Sequence, residues 1–433
     1  MAIRVAAPPR ALTGELAVPG DKSIAHRALL LGALAEGTTH VTGFPGGADV
    51  LSSLGAIRAL GAAAERAGDA VRVRGTAGAL GPEGSTAVDC GNSGTTMRLL
   101  SGLVAAGAGT TVLDGDASLR RRPMRRVAEP LVAMGARVET TDGHAPVTVH
   151  GAPLSAIEWR PPVASAQLKS AVLLAGLRAR GTTRILEPLA SRDHTERLLP
   201  HFGVRVDRTG PAVELRGGQR LHAADVALPG DPSSAAFFVV AALLVPGSNL
   251  LIRDVGVNPT RTGFLGILHR MGAEVGVEGE VVEAGEPRAA LHACAAVLRG
   301  TAIGAAEVPA AIDELPVLCI AAALAEGETT LTGAAELRVK ESDRLAALEQ
   351  LRLLGVDVRA TPDGLVVRGT AGAPLRGARI RAGGDHRIAM AFAIAGLASP
   401  EGVEIDDPQC AEVSFPGFFE ALAACGARVE RVA

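Results

Sequence analysis

The stretch His26–Gly43, HRALLLGALAEGTTHVTG, joins a long apolar run to a glycine-containing turn and a segment rich in Thr and Val. The apolar run is typical of a buried helix, and the segment after the turn is typical of a strand. The same pattern recurs in segments 96–115, 168–187, 235–256, 315–333 and 387–407. Six copies in one chain predict an α/β fold built from repeated helix–strand units.

Each copy is followed by a second, more amphipathic helix that ends in glycine. These glycines are Gly61, Gly135, Gly203, Gly272, Gly355 and Gly426. A glycine at this position is typical of a helix end in the left-handed conformation. We name the six units, each of about 70 residues, repeats 1 to 6. Their first helices, apolar nearly all round, should be buried, and their second helices should lie outside.

The length of the chain predicts two domains. At 433 residues it exceeds the roughly 250 to 300 residues at which a single core stops growing. Six repeats divide naturally into three and three, and segment 227–238, ALPGDPSSAAFF, is rich in Pro, Gly and Ser between repeats 3 and 4. We therefore expect the domain boundary in this segment.

Composition excludes several classes of function. A 48% hydrophobic, 21% charged chain with net charge −3 is globular and gives no electrostatic reason to bind nucleic acid or an anionic membrane. The longest apolar run, around 235–245, is shorter than the roughly 18 residues of a membrane span, and the amino terminus lacks the apolar core of a signal peptide. Five scattered cysteines without CxxC spacing argue against a disulfide framework or a structural zinc. We expect a cytoplasmic protein.

A short polar segment precedes every first helix. These segments are 20–23 (GDKS), 90–96 (CGNSGTT), 164–167 (ASAQ), 229–234 (PGDPSS), 311–314 (AIDE) and 383–387 (GGDHR). Ordinary N-caps explain their Ser, Asp, Asn and Gly residues. They do not explain Lys22, Arg27, Arg98 and Arg387, because cations near a helix start oppose the helix dipole. An anion held there would explain them, so we expect a small polyanionic ligand in a cleft between the two domains.

Lysine is rare in this chain. Lys22, Lys169 and Lys340 are the three lysines among 43 Lys and Arg residues. Lysine is a compact point charge whose pKa can be shifted far enough to move protons, which arginine does not do. This difference favours a functional role for Lys22 and Lys340, whereas Lys169 is interpreted as a chance survivor.

Two further segments are dense in charge. Segment 120–126 holds five arginines in seven positions, typical of either a solvated loop or a clamp for phosphate and carboxylate. Segment 338–344 is predicted to start a helix on which Lys340 and Arg344 share a face, either as an ion-pair ladder or as part of a site. Asp313, with its neighbour Glu314, is either an acidic N-cap or a general base opposite the cations.

Taken together, the motifs resemble the EPSP synthase family of enolpyruvyl transferases over essentially the whole chain. The motifs occur in the order and at the spacing of that family: PGDKSIAHR (19–27), GNSGTTMR (91–98), RRRPM (120–124), SAQLKSA (165–171), RDHTE (192–196), DELP (313–316), RVKESDR (338–344) and GDHRIAM (384–390). Each motif alone is weak, but eight in register are specific. Glu336 and Val413 depart from it, because many members have asparagine and lysine there.

The resemblance implies a fold and a domain division. The expected fold is α/β, with two domains of three βαβαββ repeats each, the inside-out α/β barrel of the enolpyruvyl transferases, and an active site in the interdomain cleft. The first strand is expected to return to the C-terminal domain. The N-terminal domain would then span 21–233, and the C-terminal domain 1–20 plus 234–433.

The resemblance also implies a reaction. The 5-hydroxyl of shikimate 3-phosphate attacks C2 of phosphoenolpyruvate while C3 is protonated, and phosphate leaves the tetrahedral intermediate. The implied partners are these two small molecules, with no metal or organic cofactor, no nucleic acid and no membrane, and the protein is expected to be a monomer.

Residue roles follow from the matching positions. The phosphoshikimate contacts would be Lys22, Ser23, Arg27, Ser165, Ala166, Gln167 and Arg192. The phosphoenolpyruvate contacts would be Lys22, Gly94, Arg122, Gln167, Arg344 and Arg387. Asp313 would take the hydroxyl proton with help from Lys340, and Glu341 with Lys22 would serve proton transfer at C3.

Two other functions compete with this one. The first is the sister transferase acting on UDP-N-acetylglucosamine, which has the same architecture but carries a reactive cysteine in its arginine-bearing loop. The corresponding segment here, 114–124 (DGDASLRRRPM), has none, and Cys90 precedes a different helix. The second is a non-catalytic binding protein built from the same repeats, which would be favoured if Lys22, Asp313 or Glu341 were missing; all three are present.

Overall fold

The computed structural model describes residues 2–81 and 84–432. The chain forms two compact units. The N-terminal unit comprises Gly20–Leu228 and Val282–Glu286, and the C-terminal unit comprises the segment up to Pro19, Pro229–Val281 and the segment from Pro287 onward. Among the described residues, no helix has both the length and the apolar character needed to cross a membrane.

The first helix of every repeat is buried, as predicted. In chain order these helices are Lys22–Leu34, Gly94–Ala105, Ala166–Gly176, Pro232–Leu244, Leu315–Leu324 and His386–Gly396. The fifth and sixth are buried along their whole length, because leucine, isoleucine, alanine and phenylalanine surround the helix axis. In the C-terminal unit its three first helices pack against one another.

Side chains cap most of these helices at the polar segments predicted from the sequence. The capping side chains that accept a backbone N–H from the first turn are Asp21, Ser93, Ser165, Asp231 and Asp385. A cap of this kind typically stabilises a helix by about 1 kcal/mol. The fifth first helix starts after Glu314 without a side-chain cap.

The second helices are partly exposed, and five of the six are shorter than the first helix of the same repeat. They are Ala48–Ala59, Arg125–Ala133, His194–His201, Gly263–Arg270, Arg344–Leu348 continued by the 3-10 helix Glu349–Leu354, and Phe418–Ala424. All six predicted glycines after them are left-handed, with φ between 80° at Gly203 and 106° at Gly135. Further short helices are Ala117–Arg120, Val308–Ala311 and the 3-10 helices Ala335–Val339 and Pro408–Val413.

The strands of the described residues form six four-stranded sheets, one for each repeat. In the N-terminal unit the sheets, in spatial order, are Val226–Ala227, Thr38–Thr42, Ala70–Arg74, Ala63–Ala67; then Ser85–Asp89, Thr110–Asp114, His144–His150, Arg137–Thr141; then Glu158–Trp159, Thr182–Leu186, Ala212–Arg216, Asp207–Thr209. In repeats 4 to 6, which belong to the C-terminal unit apart from the hairpin tip Val282–Glu286, they are Thr13–Ala17, Asn249–Gly256, Glu286–Cys294, Val275–Glu283; then Ala302–Ile303, Glu328–Leu331, Gly364–Arg368, Asp357–Thr361; then Ala378–Ile380, Val403–Ile405, Ala2–Ala6, Arg428–Val432.

All six sheets share one pairing pattern. The strand after the first helix pairs parallel with a neighbouring strand on one side and antiparallel with a strand on the other. In repeat 6 the antiparallel partner is the amino-terminal strand Ala2–Ala6, with Ile3 opposite Ile405 and Arg431. The expected return of the first strand to the C-terminal half of the chain is therefore confirmed.

Close helix contact in the N-terminal unit depends on a glycine. The first helices of repeats 2 and 3 pack along each other. A Cβ added at Gly102 would lie 2.0 Å from the backbone oxygen of Ala171, so only glycine permits this approach. This packing holds the starts of the two helices, and the polar residues on them, in a fixed relation.

Candidate active site

Lys22 begins the first helix of repeat 1. Asp21 caps that helix by accepting the N–H of Ile24 at 2.9 Å. The Lys22 ammonium lies 2.7 Å from Oδ2 of Asp49, which is in the first turn of the second helix, and 18% of the Lys22 side chain is exposed. The lysine is thus held by one carboxylate and still reaches the surface of its unit.

A chain of buried side chains lies behind Lys22. Nδ1 of His26 is 2.7 Å from Ser53 Oγ, which is 2.8 Å from Thr96 Oγ1, and this hydroxyl donates to Ser93 Oγ at 2.7 Å. Burial lowers the pKa of His26 to about 3, although Asp49 opposes the shift. The ring is therefore neutral at ordinary pH, and the chain joins the first helices of repeats 1 and 2 without adding charge.

Arg27 donates to three neutral oxygens. Nε donates to Thr195 Oγ1 at 2.7 Å, Nη1 to the backbone oxygen of Ser23 at 2.8 Å, and Nη2 to Ser170 Oγ at 2.7 Å. The side chain is 4% exposed, and burial lowers its pKa to about 10. These contacts fix the guanidinium beside Ser23 without neutralising its charge.

Gly94 lies against two guanidinium groups. A Cβ added there would lie 2.8 Å from Nη1 of Arg98 and 3.3 Å from Nη1 of Arg122. Arg98 donates to the side-chain oxygen of Gln167 at 2.7 Å, and Arg122 donates to that of Asn92 at 2.5 Å. The start of the helix Gly94–Ala105, the arginine-rich segment 120–126 and the side chain of Gln167 therefore lie close together in the N-terminal unit.

Ser165, Ala166 and Arg192 complete the predicted residues of this unit. Ser165 caps the first helix of repeat 3 by accepting the N–H of Leu168 at 3.3 Å, and Ala166 is the first residue of that helix. Arg192, partly exposed, lies between Ser191 and the helix that starts at His194, and its charge contributes to lowering the pKa of Arg27. We call the predicted residues of this unit the N-terminal cluster: Lys22, Ser23, Arg27, Gly94, Arg122, Ser165, Ala166, Gln167 and Arg192.

A second group of predicted residues lies in the C-terminal unit around Arg344. Nε of Arg344 donates to Asp385 Oδ2 at 2.8 Å, Nη2 donates to Glu341 Oε2 at 2.6 Å, and Nη1 is 3.5 Å from Asp313 Oδ1. Arg344 is 1% exposed and Asp385 is fully buried. We call Asp313, Lys340, Glu341, Arg344 and Arg387 the C-terminal cluster.

Ion pairing outweighs burial for the central pair of this cluster. Burial opposes the charge of Arg344, but the carboxylates of Asp385 and Glu341 raise its pKa above the ordinary value for arginine. Burial likewise opposes the charge of Asp385, but Arg344 holds the pKa of Asp385 below its usual range. Both groups stay ionised, so the arginine is a fixed cation.

Asp313 lies between two arginines. Besides Arg344, the guanidinium of Arg387 donates to the Asp313 backbone oxygen at 3.1 Å and approaches Oδ2 to 3.5 Å. The Asp313 side chain remains 15% exposed. Burial lowers the pKa of nearby Lys340, and Asp313 opposes this shift. A carboxylate and an ammonium that interact in this way are suited to moving protons.

One local prediction for this cluster was wrong. Lys340 and Arg344 do not share a face of one helix, because the helix begins at Arg344 and Asp343 caps it by accepting the N–H of Ala346 at 3.0 Å. Lys340 ends a 3-10 helix in an extended conformation. The capping aspartate places the helix start four residues later than the charge spacing indicates.

The sequence interpretation missed several residues that support the clusters. Asp385 was assigned only a capping role, yet it is also the buried partner of Arg344. Arg261, 1% exposed, donates to Asp231 Oδ1 and Ser233 Oγ, both at 2.9 Å, and the Ser233 hydroxyl donates to Glu314. Ion pairs to distant carboxylates leave no local sequence pattern, so spacing alone could not have found them.

The fold defines the class of protein. The structure matches the enolpyruvyl transferase NikO from Streptomyces tendae with a TM-score of 0.80 at 21% identity. The match covers the whole of this chain and 98% of NikO, which shows a shared fold. It matches EPSP synthase from Acinetobacter baumannii over the full length of both chains, with a TM-score of 0.89 and 43% identity. The fold is that of the enolpyruvyl transferases.

Sequence similarity defines the family more narrowly. The family model for EPSP synthase (3-phosphoshikimate 1-carboxyvinyltransferase) matches residues 6–422. A 3-phosphoshikimate 1-carboxyvinyltransferase from Halorhodospira halophila is 54% identical over 98% of this chain and 96% of its own, and one from Geobacter sulfurreducens is 50% identical over 96% and 97%. The chain belongs to the EPSP synthase family, which confirms the resemblance found in the motifs.

Proposed function

We propose that this protein transfers the enolpyruvyl group of phosphoenolpyruvate to the 5-hydroxyl of shikimate 3-phosphate, a step of the shikimate pathway. The hydroxyl oxygen loses its proton and bonds to C2 while C3 gains a proton, and loss of phosphate from C2 together with one proton from C3 of the tetrahedral intermediate gives 5-enolpyruvylshikimate 3-phosphate. The observation that carries the proposal is Asp313, a partly exposed carboxylate within 3.5 Å of the guanidinium groups of Arg344 and Arg387. Charged substrates and proton transfer both require such a set of groups.

The N-terminal cluster is proposed to bind shikimate 3-phosphate. The proposed contacts are Lys22, Ser23, Arg27, Ser165, Ala166, Gln167 and Arg192. Two features support this role: backbone N–H groups at helix starts favour a phosphate, and the three hydrogen bonds of Arg27 go to neutral oxygens. The nearby carboxylates of Glu196, Asp21 and Glu286 offset its charge only in part. These hydrogen bonds use three of the five N–H groups of Arg27, so the guanidinium can also donate to the phosphate.

Phosphoenolpyruvate is proposed to contact residues of both clusters. They are Lys22, Gly94, Arg122, Gln167, Arg344 and Arg387. Arginine suits this role because its planar guanidinium can hold a carboxylate or phosphate through two hydrogen bonds. Gly94 leaves the guanidinium groups of Arg98 and Arg122 close to the helix start, where a larger side chain would displace them.

Proton transfer is proposed to involve the titratable members of the clusters. Asp313 takes the proton of the attacking hydroxyl, and Lys340, whose pKa burial lowers, assists it. Glu341 and Lys22 serve the proton transfer at C3. Glu341 is suited to this because 18% of its side chain is exposed while Arg344 holds one of its oxygens.

Phosphate release provides the test of function. The protein should release phosphate from phosphoenolpyruvate only when shikimate 3-phosphate is present, and UDP-N-acetylglucosamine should not replace it. Release with the UDP sugar instead would favour the sister transferase, and no release with either acceptor would favour a non-catalytic binding protein. We also propose that a chelator leaves this rate unchanged, because no step above requires a metal.

Three further properties are proposed from family membership. The predicted domain bounds are 21–233 and 1–20 plus 234–433. The protein is proposed to be monomeric and cytoplasmic. Sedimentation of the purified chain at micromolar concentration tests whether the protein is a monomer.

A further inference from the structure

Lys169, interpreted from the sequence as a chance survivor, occupies a fully buried position in the N-terminal unit. It is 0% exposed, and its ammonium donates to Glu187 Oε2 at 2.7 Å and to the backbone oxygen of Ser191 at 3.3 Å. The same nitrogen lies 2.7 Å from Oε1 of Glu196. Three oxygens therefore surround the ammonium: those of Glu187 and Ser191 accept hydrogen bonds from it, and that of Glu196 forms an ion pair with it.

These three oxygens come from one continuous part of the chain. Glu187 directly follows the strand Thr182–Leu186, Ser191 lies in the loop after it, and Glu196 is in the first turn of the helix His194–His201. The Ser191 hydroxyl also donates to Glu187 Oε1. Lys169 thus joins a strand end, a loop and a helix start to the first helix of repeat 3.

Arg192 is the residue that this arrangement fixes. On one side of it, Ser191 is held by Lys169 and Glu187. On the other side, the Asp193 carboxylate accepts from Arg197 at 2.8 Å and from Arg208 at 2.7 Å. Both neighbours of Arg192 are therefore anchored, while Arg192 itself is partly exposed.

The same elements also hold Arg27. Ser170, next to Lys169, and Thr195, next to Glu196, both accept hydrogen bonds from Arg27, and their hydroxyls are 2.7 Å apart. A displacement of the loop around Ser191 or of the start of the helix His194–His201 would therefore move both Arg27 and Arg192, the two arginines of the proposed phosphate site.

We propose that Lys169 is a positioning residue for substrate binding: by tying Glu187, Ser191 and Glu196 together it orients Arg192 toward the phosphate of shikimate 3-phosphate. The inference rests on the proposed function and on the assignment of Arg192 to that substrate. Lysine serves here because a compact ammonium fits among these three oxygens, whereas a planar guanidinium is larger and directs its hydrogens in one plane.

A double-mutant cycle tests the inference. The variant Lys169→Arg keeps the charge and changes the geometry, and calorimetry should show the Kd of shikimate 3-phosphate rising about tenfold. In the background of Arg192→Met, the same exchange should change that Kd by less than about twofold, because the arginine through which Lys169 acts is gone. Equal effects of Lys169→Arg in both backgrounds would overturn the inference.

Kinetics separates positioning from general damage. Lys169→Arg should raise the KM of shikimate 3-phosphate while kcat and the KM of phosphoenolpyruvate stay within about twofold of the parent protein. A proportional loss in all three parameters, or unchanged binding in a folded variant, would contradict the proposal. The matched control is Arg184→Met in the same repeat, where a half-exposed cation also pairs with two glutamates, and no change is expected.

Two further outcomes are decisive. If Lys169→Arg does not fold, Ser191→Ala removes only the hydroxyl that donates to Glu187, and it should weaken shikimate 3-phosphate binding in the parent but not in the Arg192→Met background. No loss of binding in that folded variant would overturn the inference. If the parent protein itself neither binds shikimate 3-phosphate nor releases phosphate, the proposed function fails and the inference fails with it; an active parent with unchanged variants refutes the inference alone.

Discussion

The N-terminal and C-terminal clusters both place cations near helix starts, but they hold them with different partners. In the N-terminal cluster Arg27 donates to two hydroxyls and a carbonyl, and Arg122 to the amide of Asn92. In the C-terminal cluster Arg344 pairs with Asp385 and Glu341. Neutral acceptors orient a cation without cancelling its charge, whereas carboxylates cancel it.

This difference separates two tasks. A dianionic phosphate is bound best where positive charge is uncompensated, and proton transfer is performed best where acid and base are balanced and close. We therefore expect changes at Asp313, Lys340 and Glu341 of the C-terminal cluster to act mainly on kcat and changes in the N-terminal cluster to act mainly on substrate binding. Lys22, which pairs with Asp49 at 2.7 Å, is the exception in the N-terminal cluster, because we expect its substitution to lower kcat.

The largest effect is expected for Asp313→Asn. The amide keeps the shape of the side chain but cannot take the hydroxyl proton, so kcat should fall by about 10³-fold while binding of shikimate 3-phosphate persists. Phosphate release under saturating substrates measures the first quantity and calorimetry the second. The control is Asp207→Asn, an exposed residue paired with Arg205, which should change neither. A kcat within tenfold of the parent would remove Asp313 from the role of base.

A smaller loss is expected for Lys22→Arg. The guanidinium keeps the positive charge, but it is larger and gives up its proton far less readily, so kcat should fall by about 10²-fold with the fold retained. Steady-state kinetics and circular dichroism check the two parts. A variant that loses only affinity, with near-normal kcat, would place Lys22 with the purely binding members of its cluster and restore the simple division.

The smallest effect concerns stability against pH. The pKa of His26 is about 3 in the folded chain and 6.5 ordinarily. Between these two pH values His26 is protonated in the unfolded chain and neutral in the folded chain. Its contribution is therefore present above pH 6.5 and is lost as the pH falls, at about 1.4 kcal/mol per pH unit, until the folded pKa is reached. For Asp385 the folded pKa is depressed, and its contribution is lost only when the pH falls below about 4.

Urea unfolding at pH 7.5, 6.5 and 5.0 measures this contrast. His26→Gln, which can still bond to Ser53, should remove roughly 2 kcal/mol of the stability loss between pH 6.5 and 5.0. Asp385→Asn should leave the loss over that interval unchanged, although it lowers stability throughout. Equal slopes in the parent and in His26→Gln would show that the buried histidine does not respond in this way.

The sequence predicted those parts of the fold that depend on residues close together in the chain, namely the helix–strand repeats and the turns after the helices. Helix–strand periodicity and glycine at fixed positions identified six repeats, because a buried helix needs apolar residues all round and a left-handed turn favours glycine. All six of those glycines have positive φ. The motifs were equally informative about the family, since eight short segments in order are far more specific than any one of them.

The partners of the predicted residues could not be found in the same way. Arg27 and Thr195 are 168 positions apart, and Arg344 and Asp385 are 41 apart, so no periodic pattern links them. Lys169 shows the cost of judging a residue by its neighbours in sequence: it lies within an apolar helix, yet two glutamates from later segments surround it. Lys340 was wrongly predicted to lie on the same helix as Arg344, because the prediction followed the spacing of the charges. The capping residue Asp343, which is adjacent in sequence, starts the helix at Arg344 instead.

The amino-terminal strand also constrains how the molecule is made. Ala2–Ala6 is an inner strand of the last sheet, between Val403–Ile405 and Arg428–Val432. During synthesis this first strand has to wait for nearly the whole chain before either partner exists, whereas the first helices and hairpins of repeats 1 to 3 can form from neighbouring segments. The sheet of repeat 6 can therefore be completed only after the strand Arg428–Val432 has been synthesised.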